Sequence, residues 1–210
     1  MKQFLSLFFI FIFAYNAQSQ SVDTIIHEPN YISYYNYNLH EPLIVTYPLY
    51  HGGGRCDRSG DKFVTNGLPY SATAADYSNS GYDEGHLADS KDFAFDCLKQ
   101  QLTFRFYNCV PQTPKLNRGI WKHFETIIRK ESQTDSLFIV CGSFFGSKTI
   151  GIQHISVPDK CWKIVYSMDK KKVIYSLIFP NDDSDSYHEI DFNQLKGLVT
   201  QYYSFFKFTF

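Results

Sequence analysis

The sequence predicts an α+β fold in which helices pack on a mostly antiparallel sheet. The order of the predicted strands and helices is typical of this class, and two neighbouring apolar runs indicate a hairpin. The chain has 210 residues, 44% of them hydrophobic and 20% charged, with a formal net charge of −1. This composition excludes a disordered tail, a collagen-like fibre and a polybasic arm. Any binding to nucleic acid must therefore depend on a local site.

The N-terminus has the pattern of a secretory signal peptide. Lys2 precedes an apolar run over residues 4–14, and Ala17 and Ser19 are small residues two positions apart. We predict cleavage after Ser19, which divides the chain into a signal peptide (1–19), an N-terminal extension (20–42) and the main domain (43–210). The run is short for a bilayer span, which needs roughly 20 residues; an uncleaved anchor is the alternative. We expect a secreted or periplasmic protein that leaves the membrane after cleavage.

The remaining elements are predicted in chain order. Residues 20–40, rich in Tyr and Asn, are expected to wrap the surface. Strands are predicted where β-branched and aromatic residues form short runs, at 43–47, 103–107, 137–140, 162–166 and 173–179, with the last two forming a hairpin. Helices are predicted from the helical spacing of apolar residues, at 120–128 and 192–203. An acidic loop over 181–189 precedes the last helix.

Five cysteines lie in the predicted mature chain: Cys56, Cys97, Cys109, Cys141 and Cys161. Export permits disulfides, but an odd number leaves at least one thiol unpaired or in an intermolecular bond. The sequence contains no C-x-x-C pair, so a structural zinc site is not expected. Two or three of these thiols are interpreted as buried residues that pack like small hydrophobes.

Polar side chains concentrate in two segments beside apolar residues. In the first, His86 follows Gly85, so it is either a packing residue or a group placed to take a proton near neutral pH. In the second, Asn117, Trp121 and Glu125 have the i, i+4, i+8 spacing of one helical stripe. The Asn117 carbonyl suits Mg²⁺ as a hard oxygen ligand, whereas the alternative is that Asn117 caps the helix.

Taken together, the two segments resemble the DNA/RNA non-specific endonuclease (endonuclease G-like) family. The shared patterns are Asp83-x-Gly85-His86 and then Asn108-x2-Pro111-Gln112-x4-Asn117-x3-Trp121-x3-Glu125. The likeness covers roughly residues 43–180. One position departs from the family pattern, because Glu84 stands where the family has Arg.

The resemblance implies a ββα-metal (His-Me finger) core and hydrolysis of DNA and RNA phosphodiester bonds with little sequence preference. By this likeness His86 is the general base, and Asn117 directly binds one Mg²⁺, Mn²⁺ or similar divalent cation. Asn108 matches the asparagine that helps to position the catalytic groups, and Glu125 matches the acidic residue that holds water at the metal. Arg58 is a looser match to an arginine that contacts phosphate.

The departure at Glu84 leaves three interpretations open: an active enzyme in which another cation replaces the arginine, a site with altered metal or substrate choice, and a weakened nuclease fold. The weakened fold would bind nucleic acid or another polyanion without turnover. A carboxylate beside the catalytic histidine repels phosphate unless it is paired or turned away. Seven basic residues between Lys99 and Lys130, against Glu125 alone, favour an active enzyme, although a solvated helix face also explains them. Two other classes are disfavoured, since residues 142–149 miss the P-loop spacing and no G-x-S-x-G occurs. The oligomeric state is not predicted.

Overall fold

The structure is a computed structural model that describes residues 19–210, in which three strands come first and four consecutive strands precede the last helix. The strands, numbered in chain order, are Thr24–His27 (β1), Ile32–Asn36 (β2), Glu41–Leu49 (β3), Asp83–His86 (β4), Cys109–Gln112 (β5), Leu137–Ile150 (β6), Ile155–Ser167 (β7), Lys172–Pro180 (β8) and His188–Glu189 (β9). The helices are Ala74–Tyr77 (α1), Cys97–Leu102 (α2), Pro114–Arg118 (α3), Ile120–Glu131 (α4) and Phe192–Tyr202 (α5).

Seven of these strands form one antiparallel sheet in the order β1-β2-β3-β6-β7-β8-β9, and β4 pairs with β5 in a separate hairpin. Side chains alternate between the two faces of the sheet because successive residues of a strand point in opposite directions. Leu177 and Phe179 of β8 pack on the side of α4 and the hairpin, whereas Ile178 packs on the side of α5. The mostly antiparallel α+β fold is therefore confirmed.

Most of the predicted elements are present. The strands predicted at 43–47 and 137–140 form as β3 and β6, the predicted hairpin forms from β7 and β8, and the predicted last helix forms as α5. Several of these elements are longer than predicted. The segment 142–149 lies within β6, so it has no strand–loop–helix geometry for binding a phosphate. Among residues 19–210, no helix is long and apolar enough to cross a membrane.

Two expectations about local structure were wrong. Residues 103–107 form a helix end and a 3-10 turn instead of a strand, because Asn108 donates its backbone N–H to Arg105 O at 2.8 Å and closes the turn. Residues 24–36 do not wrap the surface but form two strands of the main sheet, and Tyr31 and Tyr35 are buried in its core. Their alternating aromatic side chains suit a half-buried strand. The predicted signal peptide lies almost entirely outside the described residues.

The helical stripe predicted for Asn117, Trp121 and Glu125 is interrupted at Gly119. This residue has φ −100° and ψ −115°, which ends α3 and begins α4. A Cβ at Gly119 would lie 2.2 Å from Asp185 Oδ1, and Asp185 accepts the Ile120 N–H at 2.8 Å. A carboxylate from the acidic loop thus caps α4, and the turn has room only for glycine. Asn117 consequently lies on a different helix from Glu125.

Cys56 and Cys97 form a disulfide that ties the segment before β4 to α2. Cys109, Cys141 and Cys161 are buried free thiols, as interpreted from the odd number of cysteines. The cross-linked residues are 41 positions apart. Closing a loop of this length removes conformational entropy from the unfolded chain. The disulfide therefore stabilises the segment that contains Arg58.

We predict that Cys97→Ser lowers the free energy of unfolding by about 2–4 kcal/mol, the usual range for loss of a native disulfide. Urea unfolding followed by circular dichroism measures this change. Treatment with dithiothreitol should bring the unmodified protein to the stability of the variant and leave the variant unchanged. Equal stability of the oxidised protein and the variant would contradict the prediction.

Candidate active site

The hairpin of β4 and β5, followed by α3 and α4, forms a ββα unit on one face of the main sheet. His86, the last residue of β4, pairs with Cys109 at the start of β5. Trp121 of α4 donates its indole N–H to the backbone oxygen of His86 at 3.1 Å. This bond holds the helix against the strand at the position of the imidazole.

The imidazole of His86 lies in an apolar environment. Its ring is 4.6 Å from the ring of Phe63 and 4.7 Å from that of Phe104, measured between centroids. Nε2 is buried and has no hydrogen-bond partner among the described residues. Burial, with a smaller contribution from the charge of Arg58, lowers the pKa of His86 to about 3. The ring is therefore neutral at pH 7.

Asn108 is fully buried and acts on the backbone next to His86. Its Oδ1 accepts the Ala88 N–H at 2.9 Å, and its Nδ2 donates to Ala88 O at 3.0 Å and to Thr103 O at 2.9 Å. These three bonds fix the segment that leaves β4. Asn108 thus lies behind the backbone that follows His86, and it is not among the residues that line the cavity described next.

Asn117 is oriented by Asp83, the first residue of β4. Asn117 donates its Nδ2 to Asp83 Oδ2 at 3.0 Å, and Arg118 binds the same carboxylate through Nε and Nη2 at 2.8 and 2.6 Å. Burial raises the pKa of Asp83, but the hydrogen bonds from Arg118 and Asn117 outweigh it and hold this pKa below its ordinary value. Asn117 Oδ1 accepts no hydrogen bond from residues 19–210, and Thr113 caps α3 instead, so Asn117 is not the cap.

Glu125 lies one helical turn beyond Trp121 on α4. Burial raises the pKa of Glu125, and the positive charges of Lys163 and Arg58 oppose that rise. Lys163 is itself buried below α4, with its ammonium 4.1 Å from the centroid of the Trp121 ring. The cation thus favours the ionised form of Glu125 from beneath the helix.

A cavity of about 300 Å³ brings the predicted residues together. Arg58, His86, Asn117 and Glu125 all line it, and so does Glu84. Asn108 is the one predicted site residue that lies outside, behind the backbone of β4. The side chains of His86 and Asn117 therefore line one cavity. The two residues are 31 positions apart in the sequence, the first on β4 and the second on α3.

The cationic side chains of the cavity fall into two groups. Arg129 of α4 forms ion pairs with Asp89 and Asp92, which fix the turn after His86. Arg58, bonded to Ser90, and the lysines 91 and 122 form no ion pair within residues 19–210. These unpaired cations are available to an anion that enters the cavity.

The donor set can hold a hard divalent cation. Asn117 offers an unengaged amide oxygen, and Glu125 offers a carboxylate. No group of three or more His, Cys, Asp or Glu side chains in the described part of the chain is arranged to bind a metal ion. An amide oxygen and a carboxylate are hard oxygen donors, and they suit a cation such as Mg²⁺, which keeps most of its waters and needs few protein ligands.

Three interactions escaped the sequence analysis. Asp83 appeared only as a motif position, and its bond to Asn117 depends on the contact between β4 and α3. Arg129 was counted among surface charges, although its i+4 spacing from Glu125 was a signal that it shares the cavity. Asp185 gave no signal, because its cap on α4 joins residues 65 positions apart.

Comparison with known proteins agrees with this geometry. A nuclease of Nostoc sp. is 39% identical over 46% of this chain and 36% of its own length. Mitochondrial endonuclease G of Bos taurus is 31% identical over 45% of this chain and also 36% of its own length. The chain thus spans about a third of the length of these relatives.

The fold also has a solved counterpart. A chain in a crystal structure of the EndoG/EndoGI complex superposes with a TM-score of 0.73 and 21% identity, covering 82% of both chains. The sequence model of the DNA/RNA non-specific endonucleases matches residues 12–206, a longer stretch than the motifs alone suggested. By fold, by the placement of its motif residues and by this match over most of its length, the chain belongs to the DNA/RNA non-specific endonuclease family.

Proposed function

We propose that the protein is a metal-dependent endonuclease that hydrolyses phosphodiester bonds of DNA and RNA with little sequence preference. The observation that supports this most strongly is the shared cavity of His86, Asn117 and Glu125. A neutral base, a hard oxygen donor and unpaired cations lie around one space, as hydrolysis of a phosphodiester requires.

His86 is the proposed general base. Its burial between Phe63 and Phe104 keeps the imidazole neutral, and the Trp121 bond to its backbone fixes the ring at the cavity wall. In this role the imidazole removes a proton from the water that attacks phosphorus. A base placed in this way contributes about 10²–10⁴-fold to the rate.

Asn117 and Glu125 are the proposed residues for Mg²⁺ or a similar divalent cation. Asp83 keeps the Asn117 amide nitrogen engaged, which directs the oxygen to the ligand role. Glu125 holds water near this position as a hydrogen-bond acceptor. When bound, the cation neutralises charge that grows on the phosphate oxygens and on the departing 3′ oxygen.

Arg58 is proposed to contact the phosphate of the substrate. Its side chain lines the cavity, is bonded to Ser90 and is tethered two residues from the Cys56–Cys97 disulfide. Contacts of this kind recognise the backbone, which is the same for every base sequence. Weak sequence preference is the consequence.

Export of the protein is part of the same proposal. The N-terminal sequence has the order of charged, apolar and small residues found in signal peptides. The Cys56–Cys97 disulfide supports an oxidising compartment, because disulfides are rare in the reducing cytosol.

Incubation of the purified protein with plasmid DNA and with RNA, with and without EDTA, tests the function. We expect degradation with Mg²⁺ and none with EDTA. His86→Ala should lower the rate about 10²–10⁴-fold by loss of the base. His188→Ala is the matched control, because His188 is exposed on β9 and lies outside the cavity lining.

Two outcomes would contradict the proposal. Cleavage by His86→Ala at the parent rate would show that His86 is not the base. Retention of nucleic acid without any turnover by the unmodified protein would instead favour the non-catalytic binder, the hypothesis to which Glu84 gives some support.

Asn117→Ala should lower kcat/KM by roughly 100-fold or more, since even outer-shell residues of metal sites typically contribute 10–100-fold. Part of the loss should be recovered at higher Mg²⁺ concentration, which a titration of activity against Mg²⁺ measures. Asn193→Ala, at an exposed position on α5, is the control and should follow the parent curve. An Mg²⁺ dependence of Asn117→Ala that is identical to that of the parent would exclude the ligand role.

The buried imidazole predicts a pH dependence of stability in EDTA. The pKa of His86 is about 3 in the fold and about 6.5 when unfolded, so the unfolded chain binds the proton first as the pH falls. Between pH 6.5 and 4 the protein should lose about 3 kcal/mol more than the variant His86→Asn, which has no proton to bind. Urea unfolding at several pH values measures the difference. Parallel losses in both proteins would show that the imidazole is not held neutral.

A further inference from the structure

We infer that Glu84 is a second protein ligand of the divalent cation, so that one carboxylate and the amide oxygen of Asn117 hold it together. The inference rests on the proposed function, and it assigns a role to the residue that departs from the family pattern. Three features of the structure support it: the position of Glu84, its lack of a partner and the charge of the cavity.

The position of Glu84 is fixed on both sides. Asp83 accepts a hydrogen bond from Asn117 at 3.0 Å, so the backbone of the next residue lies beside α3. A Cβ at Gly85 would lie 2.3 Å from Gln112 Oε1, which shows how closely β4 and β5 pack there. Alternation along β4 places Glu84 on the same face as His86, and both side chains line the cavity with Asn117.

In the described part of the chain, Glu84 differs from Asp83, Asp89 and Asp92 in having no cation paired with it. Asp83 is bound by Arg118, and Asp89 and Asp92 are bound by Arg129. Within residues 19–210, by contrast, the Glu84 carboxylate takes part in no hydrogen bond and no ion pair. The residue is half-buried on β4.

Although Arg58 and the lysines 91 and 122 make the cavity basic, a lone carboxylate in it is unfavourable for a phosphate substrate. The carboxylate and the phosphate are both negatively charged, so they repel each other across the cavity. A divalent cation between Glu84 and the phosphate changes this repulsion into attraction on both sides. Carboxylate and amide oxygens are also the ligands that Mg²⁺ and Mn²⁺ prefer. A site with two protein ligands, one of them charged, binds the cation more tightly than Asn117 alone.

Isothermal titration of the EDTA-treated, dialysed protein with MnCl₂, without nucleic acid, tests the inference. We expect Glu84→Gln to weaken Mn²⁺ binding at least tenfold, because the variant keeps the size of the side chain and loses its charge. Glu84→Arg should weaken binding at least as much. Glu189→Gln, an exposed position on β9, is the matched control and should bind like the parent. Thermal unfolding in EDTA checks that each variant is folded.

The outcomes separate this inference from the proposed function. An unchanged Mn²⁺ affinity of Glu84→Gln, with metal-dependent cleavage by the parent, would overturn the role of Glu84 and leave the nuclease proposal intact. Tighter DNA binding by Glu84→Gln in EDTA, with no change in Mn²⁺ affinity, would show that Glu84 only repels the substrate. A parent protein that neither binds Mn²⁺ nor cleaves would contradict both proposals.

Discussion

The hydrogen bond from Asn117 to Asp83 is the constraint on which the geometry of the site depends. It joins the first residue of β4 to α3, while the last residue of the same strand is His86. Since a strand of this length is rigid, the bond sets the separation between the imidazole and the amide. Arg118 reinforces it by binding the same carboxylate and keeping it ionised. The short helix α3 has little stability of its own, so this tertiary contact holds it in place.

The charges around the cavity have two separate functions. Ion pairs of Arg118 and Arg129 stabilise the frame, because each joins a helix to β4 or to the turn that follows it. Arg58 and the lysines 91 and 122 have no such partner within the described residues, and they leave positive potential in the cavity. The near-neutral total charge of the chain therefore conceals a local basic site, which the composition alone does not reveal.

The sequence was sufficient for the parts that depend on local pattern and spacing. Apolar patterning predicted α4 and the hairpin of β7 and β8, and the motif spacing selected His86 and Asn117, which both line the cavity. It failed where distant contacts decide the structure. The strand expected at 103–107 became a turn closed by Asn108, and the break at Gly119 depends on Asp185 from another loop. The spacing of residues predicts a helical face only if the helix is continuous, so it does not reveal that the helix is interrupted at Gly119.

Helix α4 shows why the stability of the fold and the geometry of the site are difficult to separate. Its apolar side packs Trp121 into the core, yet the indole N–H of this residue holds the backbone of His86. Beneath it lies Lys163, a buried cation with no hydrogen-bond partner within residues 19–210, 4.1 Å from the indole ring. A cation–π contact compensates part of the cost of burying this charge. The same charge opposes the rise in the pKa of Glu125 that burial causes. The contact with the Trp121 ring thus lowers the free-energy cost of burying Lys163. The charge of Lys163 favours the ionised form of Glu125 at the cavity.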